Sequence, residues 1–389
     1  MLKLHDIGKA IGSRPEHELL LLCTRSRSDL RIAGRITCLA EQQLDWDYLL
    51  GLAYRHCVFP LLHEQLQTHA LTATPAEIRQ NLRKRFHENA AHSLLLAGEL
   101  ARIAAALNSK GIRTLAFKGP ALAALVYGQI TSRRYVDLDV IVQQRDMARA
   151  RAILQSLGFN APDYLSPSHN NLLERVQHSV ALIRADDGLI VELHWRIAAR
   201  GFATLPFENQ MWLRAIEVSV CGVSVETLSP EDLLLALCIH GTKHFWERLS
   251  WVCDVARLLD RRLNWSLVFR LAREAGAERM LALGLCLATE LFGVELPEEV
   301  GRRTRSDAIA VDLAAQAVNR MFAGVEFMPL NLQRAVSFNL RARRRWFEKV
   351  RYCGYLLAPT DADLAMRALP TRLEFAYYFL RPFRLMRKA

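Results

Sequence analysis

The chain has 389 residues, which is long for a single hydrophobic core and predicts two or three subdomains. Apolar residues make up 51% of the sequence and charged residues 23%, proportions that are typical of a folded protein and that exclude large-scale disorder. The formal net charge of +11 favours a polyanionic partner, such as a nucleotide, a nucleic acid or an anionic membrane surface.

The first 110 residues have the apolar periodicity of α-helices. Asp45 precedes an apolar face at helical spacing and is a suitable N-cap. Pro75 opens a long helical pattern that ends at Lys110-Gly111, where a cation in the last turn is followed by a glycine. These features predict an N-terminal helical region over residues 1–110.

A different periodicity follows Gly111. Helices are predicted to begin near Gly119 and Arg145, and a hairpin is predicted over residues 215–228. Four strands are also predicted, over residues 114–117, 135–142, 179–184 and 189–195. The helices, the hairpin and these strands together indicate an α+β core over residues 111–228.

Residues 229–389 return to a helical pattern and become increasingly basic, so they form a C-terminal helical domain with a basic tail. Ser229 and Pro230 supply the N-cap and first-turn proline of its first helix. Most basic runs are solvated helix faces, but the basic and aromatic tail over residues 372–389 also suits an interfacial anchor or a surface for a polyanionic acceptor. A second basic run precedes Trp346-Phe347 and contains Arg341, Arg343, Arg344 and Arg345.

Asp137 and Asp139 are two residues apart on a predicted strand, so their side chains point to the same face while Val136, Leu138 and Val140 pack behind. Two carboxylates on an otherwise apolar strand are costly to bury without a partner. A divalent cation would make the pair favourable, and oxygen ligands favour Mg²⁺ or Mn²⁺. The alternative is an exposed strand edge, or a salt bridge to one of the two arginines that precede the pair.

Cationic and glycine residues near this strand can bind phosphate. Lys118, Gly119 and Pro120 lie between a strand and a helix, where backbone amides and a helix N-terminus can receive a phosphate group. Lys118 either neutralises that phosphate or caps its strand. Arg133 and Arg134 lie just before the two aspartates and are positioned to meet phosphate oxygens.

Glu192 is the single acid of another alternating strand, Val191 to Trp195. With the two aspartates it can complete a triad of carboxylates, which can hold two metal ions. His194 shares the face of Glu192 by the period of two, so it either orients substrate, holds the acid or packs beside Trp195.

His240 and His244 are four residues apart on a predicted helix, with Lys243 between them. The spacing suits zinc, but a third ligand is not obvious and Gly241 stands where a zincin has glutamate. The group therefore lines the nucleotide or acceptor cleft, or the histidines are structural. Three neighbouring residues are expected to stabilise a helix pair: Trp246, Trp251 and Asp254.

Four segments occur in the order LAFKGPALAALVYG, SRRYVDLDVIV, GLIVELHWRI and SPEDLLLALCIHGTKHFWERLSWVCDVARLL. Together they resemble the bacterial "uncharacterised nucleotidyltransferase" family of the polymerase-β-like superfamily. The resemblance implies a minimal nucleotidyltransferase fold, with a small mixed sheet and helices, a divalent metal and an NTP donor. It assigns Gly119 to the phosphate-binding turn, Asp137 and Asp139 to the metal-binding pair, and Glu192 to the third acid. Pro120 departs from the usual Gly-Ser or Gly-Gly turn and removes one amide donor and one hydroxyl.

These observations predict a Mg²⁺-dependent transfer of an NMP group from an NTP, with ATP as the expected donor, to an unidentified acceptor. A small molecule, a peptide or a saccharide is favoured over RNA, because no clear RNA-binding module is present. One alternative is an inactive nucleotide- or partner-binding protein that serves the regulation or assembly of a biosynthetic pathway. The metal-binding and catalytic residues would be Asp137, Asp139 and Glu192, and the nucleotide-binding residues Lys118, Gly119, Arg133, Arg134, His240 and Lys243.

The eight cysteines are scattered without a CxxC pair, so neither a disulfide framework nor a paired-ligand zinc site is expected. Charged residues interrupt the N-terminal sequence, and we expect no signal peptide. We expect no stretch to approach the uninterrupted apolar length that spans a bilayer. These features predict a cytoplasmic protein, with the tail as a candidate contact with the inner membrane face.

Overall fold

The computed structural model describes residues 14–26, 29–161, 176–203, 208–325, 331–360, 363, 373 and 376–387. Before the sheet, helices occupy most of the described chain. Asp29 and Asp45 accept hydrogen bonds from the amides of Ile32 and Tyr48, at 2.8 and 2.9 Å, and so cap two of these helices. The five helices are α1 (Pro15–Thr24), α2 (Leu30–Ala40), α3 (Trp46–Arg55), α4 (Phe59–His69) and α5 (Ala76–Asn108).

Helix α5 has 33 residues and, within the described residues, is long and apolar enough to cross a membrane, with a mean hydropathy of 1.3 over its most apolar window. The expectation that no stretch approaches this length was therefore wrong. Length and composition are weak evidence for a span, because the core helix of a soluble protein has the same properties. Leu96, Leu100 and Ile103 of α5 are buried in the core that covers the sheet.

A five-stranded mixed sheet has the order β1-β2-β5-β4-β3. Strands β2 and β5 are parallel, and the other neighbours are antiparallel. Two helices accompany these strands, α6 (Gly119–Tyr127) and α7 (Met147–Ser156). The strands are β1 (Thr114–Ala116), β2 (Asp137–Val142), β3 (Phe159–Asn160), β4 (Ser179–Arg184) and β5 (Ile190–His194).

The register of the parallel pair brings the acidic residues together. Asp139 lies opposite Glu192, and Ile141 lies opposite His194. Because side chains alternate along a strand, Asp139, Glu192 and His194 share one face of the sheet. Val136 does not pack behind the aspartates as predicted, since β2 begins only at the next residue and Val136 is 52% exposed.

After the sheet, helix α8 (Glu208–Arg214) leads into a two-stranded hairpin of β6 (Ile216–Val220) and β7 (Val223–Thr227). Ser229 caps the next helix by accepting from the amide of Asp232 at 3.2 Å, as the sequence predicts. The following helices are α9 (Pro230–Lys243), α10 (Leu249–Leu259), α11 (Trp265–Ala275), α12 (Glu278–Phe292), α13 (Glu298–Ser306), α14 (Ala308–Met321), α15 (Leu332–Arg341), α16 (Trp346–Leu357) and α17 (Ala376–Arg387).

Two hydrophobic cores organise these elements. One lies between the sheet and helices α5, α6 and α7. The other joins N-terminal and C-terminal helices in a single cluster, in which Leu19 and Leu49 are buried together with Leu234, Val255 and Leu283. The C-terminal helices α9 and α10 are therefore held next to the sheet by residues from both ends of the chain.

The basic run before Trp346 is only partly solvated, which corrects the expectation of a solvated helix face, since Arg344 is exposed but the other three arginines have protein partners. Arg343 is 1% exposed and donates a hydrogen bond to the carbonyl of Phe202 at 2.8 Å. Its guanidinium lies 4.0 Å from the ring centre of Tyr352. Arg341 and Arg345 form ion pairs with Asp312 and Glu278. These arginines join C-terminal helices to one another, and burial lowers the pKa of Arg343 to about 10.

Candidate active site

Asp139 is the buried centre of the candidate site, with 3% of its surface exposed. Its Oδ1 atom lies 2.8 Å from Nζ of Lys118 and 3.1 Å from Nε2 of His194. The same Nε2 lies 3.1 Å from Oε2 of Glu192, whose side chain is 35% exposed. Oδ1 of Asp139 thus contacts both Lys118 and His194, and His194 bridges the carboxylates of Asp139 and Glu192.

The turn after β1 places Lys118 at this point. Ala116 ends β1 opposite Val140 of β2, and α6 begins at Gly119, so Lys118 stands at the N-cap position beside β2. Gly119 has φ +54°, and a Cβ there would lie 3.3 Å from the carbonyl oxygen of Asp137. This close approach in the left-handed region explains the glycine. The N-terminus of α6 therefore lies beside the acids.

Opposing effects set the protonation of the cluster. Burial alone would raise the pKa of Asp139, but Lys118 and His194 hold it well below its usual range. Burial would lower the pKa of Lys118 and of His194, yet Asp139 and Glu192 raise both. The hydrogen bond from His194 outweighs burial and lowers the pKa of Glu192. The charged forms are thus mutually stabilised.

Asp137 has a different environment from Asp139. It is half-buried at the start of β2, and burial together with the charge of Asp139 raises its pKa to about 6. Such crowding of carboxylates is the condition that a bound cation relieves. Within the described part of the chain, Asp139, Glu192 and His194 are the group with metal-ligand atoms all within 4.8 Å of one another. Asp137 lines the same cavity without belonging to that group.

Arg133 lies on the cavity wall but is bound to another residue. Its Nε and Nη2 atoms donate to the two carboxylate oxygens of Asp254, each at 2.9 Å, and Tyr127 donates to the same carboxylate at 2.8 Å. Arg133 is 8% exposed and Asp254 is fully buried. The bidentate pair fixes the segment before β2 to α10, whereas Arg134 is exposed and lines the cavity.

The opposite wall comes from α9 and α10. The rings of His240 and His244 are 4.7 Å apart and lie 5.2 and 5.6 Å from the ring of Trp251. Lys243 approaches His178, with 3.4 Å between Nζ and Nε2. Burial lowers the pKa of His240 and Lys243, and lowers that of His244 to about 3. Both histidines are therefore neutral, and in the described residues they join no third metal ligand.

These two walls enclose a cavity of about 580 Å³. That volume is within the range of roughly 300–1,000 Å³ that is usual for small-molecule sites. All nine residues assigned to the site from the sequence line it, namely Lys118, Gly119, Arg133, Arg134, Asp137, Asp139, Glu192, His240 and Lys243. The structure thus gathers residues that are up to 125 positions apart (243 minus 118) into one cavity.

Sequence reasoning missed His178, which lies 5.7 Å ring to ring from His194 and lines the same cavity. It precedes β4 and belongs to no motif, so no signal in the sequence indicated it. Trp251 also lines the cavity, although it was expected only to stabilise a helix pair. The apolar periodicity of its helix is the same for a side chain that lines a cavity and for one that is buried in a core.

Comparison with known proteins gives one family match. Residues 42–293 match the family described as "Uncharacterised nucleotidyltransferase". No curated protein matches the sequence significantly. A solved structure, an antigenic nucleotidyltransferase-like protein from Paracoccidioides brasiliensis, aligns with 55% of this chain and 93% of that chain, at 14% identity and a TM-score of 0.34. A likeness of that degree supports no conclusion about this chain.

Proposed function

Because the chain belongs to the uncharacterised nucleotidyltransferase family, we propose that it transfers an NMP group from an NTP, with ATP as the first candidate, to an acceptor nucleophile. The observation that carries the proposal is the cluster of Asp139, Glu192 and His194 on the floor of a cavity of about 580 Å³. Lys118 and Lys243 line the same cavity and suit a polyphosphate.

Mg²⁺ is the proposed cofactor, and Mn²⁺ would also suit a site with an imidazole nearby. Asp137, Asp139 and Glu192 would hold it. The fit rests on the ligand atoms of Asp139, Glu192 and His194, which all lie within 4.8 Å of one another. Asp137 is outside that group but lines the same cavity, and its pKa is raised to about 6. When bound, the ion supplies charge neutralisation for the triphosphate and activation of the attacking oxygen. His194 would orient the carboxylates of Asp139 and Glu192 from below.

Lys118 has a particular role in this proposal. Its ammonium group neutralises Asp139 in the free protein, at 2.8 Å. A divalent cation beside the same carboxylate would repel that ammonium group, whereas a triphosphate would attract it. Lys118 therefore competes with the metal ion for Asp139. Its charge weakens binding of the metal ion alone and strengthens binding of the metal ion together with a nucleotide.

The transfer itself is a substitution at the α-phosphorus of the NTP. An acceptor oxygen or nitrogen forms a bond to that phosphorus, the bond to the bridging oxygen of the β-phosphate breaks, and pyrophosphate leaves. The proton of the acceptor passes to Glu192, which is partly exposed to the cavity next to Asp139. Positioning by the two walls and neutralisation of charge would supply most of the rate.

The acceptor is proposed to be a small molecule, a peptide or a saccharide. The most direct test incubates the protein with Mg²⁺, a cell extract and ATP labelled either at the α-phosphate or at the γ-phosphate. We expect label in a new product only from the α-labelled ATP. Label from γ-labelled ATP would indicate a kinase instead, and no Mg-NTP binding at all would contradict the proposal.

A nucleotide-binding protein without transferase activity is the second candidate. Its supporting observation is that Lys118 and His194 already provide partners for Asp139 without any metal. Such a protein would bind Mg-ATP but transfer no label from the α-phosphate to any molecule in the extract.

A further inference from the structure

Helix α16 carries an apolar face on its outside. Trp346 is 75% exposed, Val350 61% and Leu357 43%, and Cys353 is also exposed. The spacings of four, three and four residues place these side chains in one stripe along the helix. The inward face is also apolar, since Tyr352 is 4% exposed and packs in the helical core. An amphipathic surface helix would instead carry polar residues on the outside.

Exposed apolar side chains are concentrated in this part of the molecule. Among the described residues, 17 large hydrophobic side chains are exposed, and eight of them lie within residues 346–380. Isolated exposed residues need no explanation, but a contiguous group marks an interaction surface. Helix α17 contacts α16 and contributes Phe379 and Leu380, which are 67% and 49% exposed.

The exposed charges beside the stripe are positive, which indicates an anionic partner. Lys349 and Arg351 are exposed on opposite sides of it, and Arg344 is exposed just before the helix. The one acid of the helix, Glu348, is buried and accepts hydrogen bonds from the amides of Arg344 and Arg345. A second copy of the chain would offer this face the same exposed cations and no exposed acid from this helix, so an anionic surface suits the stripe better.

We propose that the outer face of α16 binds the surface of an anionic lipid bilayer. Trp346, Val350 and Leu357 would lie among the upper acyl chains, and the flanking cations would contact the headgroups, the usual arrangement of an interfacial helix. The inference is independent of the proposed transferase activity. If both hold, the acceptor is presented near a membrane.

Point substitutions test this surface better than removal of the tail. Tyr377 of α17 is 1% exposed, and Arg381 and Arg384 pair with Asp363, so deletion of the tail would disturb the fold. The test variant is W346S/V350S, which changes two exposed side chains. The matched control is L30S/L213S, because Leu30 and Leu213 are 93% and 85% exposed on other helices.

The measurement is co-sedimentation of the full chain with vesicles of phosphatidylcholine alone or with about 30% phosphatidylserine. We expect binding to the anionic vesicles at low salt, at least roughly tenfold weaker binding by W346S/V350S, and binding by L30S/L213S within about twofold of the parent. K349E should also weaken binding, and circular dichroism should show that all variants are folded. Equal binding by W346S/V350S and the parent would overturn the proposal. So would binding to polyglutamate without binding to vesicles, which would indicate an acidic protein partner.

Discussion

The two walls of the cavity offset the free-energy cost of burying ionisable groups in opposite ways. On the sheet, each of Lys118, Asp139 and His194 has a partner of opposite charge within about 3 Å, and these contacts favour the charged form of each group. On the helical wall, His240 and His244 lose their charge to burial and pack against Trp251. The sheet wall is thus a network of charges, whereas His240, His244 and Trp251 form a neutral aromatic patch on a helical wall that also carries Lys243 and Asp254.

This difference assigns the parts of a nucleotide to the two walls. A metal ion and its phosphates require the oxygen ligands of the sheet. A base or an apolar acceptor suits the neutral aromatic wall, where stacking costs no desolvation of charge. Substitutions should therefore have large effects at the charged cluster of the sheet and small effects at the neutral aromatic patch of the helical wall.

The largest effect is expected for Asp139→Asn, compared with Asp137→Asn. Both variants should lose Mg²⁺-dependent nucleotide binding. Asp139→Asn should also lower the free energy of unfolding by about 3 kcal/mol, because Lys118 and His194 lose their buried carboxylate. Asp137→Asn should leave stability unchanged or raise it, because repulsion from Asp139 disappears. Titration calorimetry and urea unfolding measure the two properties, and equal stability of both variants would contradict the structure.

Glu192→Gln should separate binding from chemistry. Asp137 and Asp139 can still hold an ion under the triphosphate, so we expect Mg-NTP binding within a few-fold of the parent. Transfer should be slower by at least roughly 10²-fold, which is the scale for loss of a positioned general base. Glu226→Gln is a matched control, because Glu226 pairs with Arg113 outside this cavity. Single-turnover rates with labelled ATP measure the effect. A full transfer rate in Glu192→Gln would remove this residue from the mechanism.

Lys118→Met should change metal and nucleotide affinity in opposite directions. Without the ammonium group, Mn²⁺ alone should bind the protein roughly tenfold more tightly, because a cation within 2.8 Å of Asp139 is removed. Mg-ATP should bind more weakly. Mn²⁺ binding is measured by electron paramagnetic resonance.

Lys243→Met provides the control for that experiment, since Lys243 contacts His178 and forms no ion pair with a carboxylate in the described part of the chain. It should weaken ATP binding with a smaller gain in Mn²⁺ affinity. Unchanged Mn²⁺ binding by Lys118→Met would exclude competition for Asp139, while the transferase proposal would stand. Absence of Mn²⁺ binding in every variant would instead contradict the proposed metal site.

The smallest effect is expected on the helical wall. His244→Phe replaces a neutral ring by an apolar one beside the cavity, and should change the free energy of unfolding by less than about 1 kcal/mol. His194→Phe leaves Glu192 without its histidine and Asp139 with only Lys118, so it should cost about 2–3 kcal/mol. Thermal and urea unfolding of the two variants give a direct comparison. Equal losses would mean that the two walls do not differ as described.

Local patterns predicted the elements that carry the site. The alternation around Asp139 and Glu192 indicated two strands, and the structure places these residues opposite each other. The cap at Ser229 and the glycine turn at Gly119 are also present. Each of these signals lies within a few residues of the feature that it predicts, because hydrogen bonds and side-chain alternation are local.

Long-range partners could not be predicted in the same way. The pair of Arg133 and Asp254 joins residues 121 positions apart, and the contact of Arg343 with Phe202 joins residues 141 apart. Nothing in either local sequence specifies such a partner. The sequence therefore predicts that the arginines around Arg343 are exposed to solvent and that Arg133 contacts a phosphate group.

The shared helical core has a consequence for synthesis of the chain. Leu19 and Leu20 of α1 are fully buried, and α1 packs against α12, which begins at Glu278. At roughly 5–20 residues per second, about 10–50 s separate the emergence of these two helices from the ribosome. During that interval α1 can pack against α2, α3 and α4 but not against α12, so its apolar surface is only partly covered.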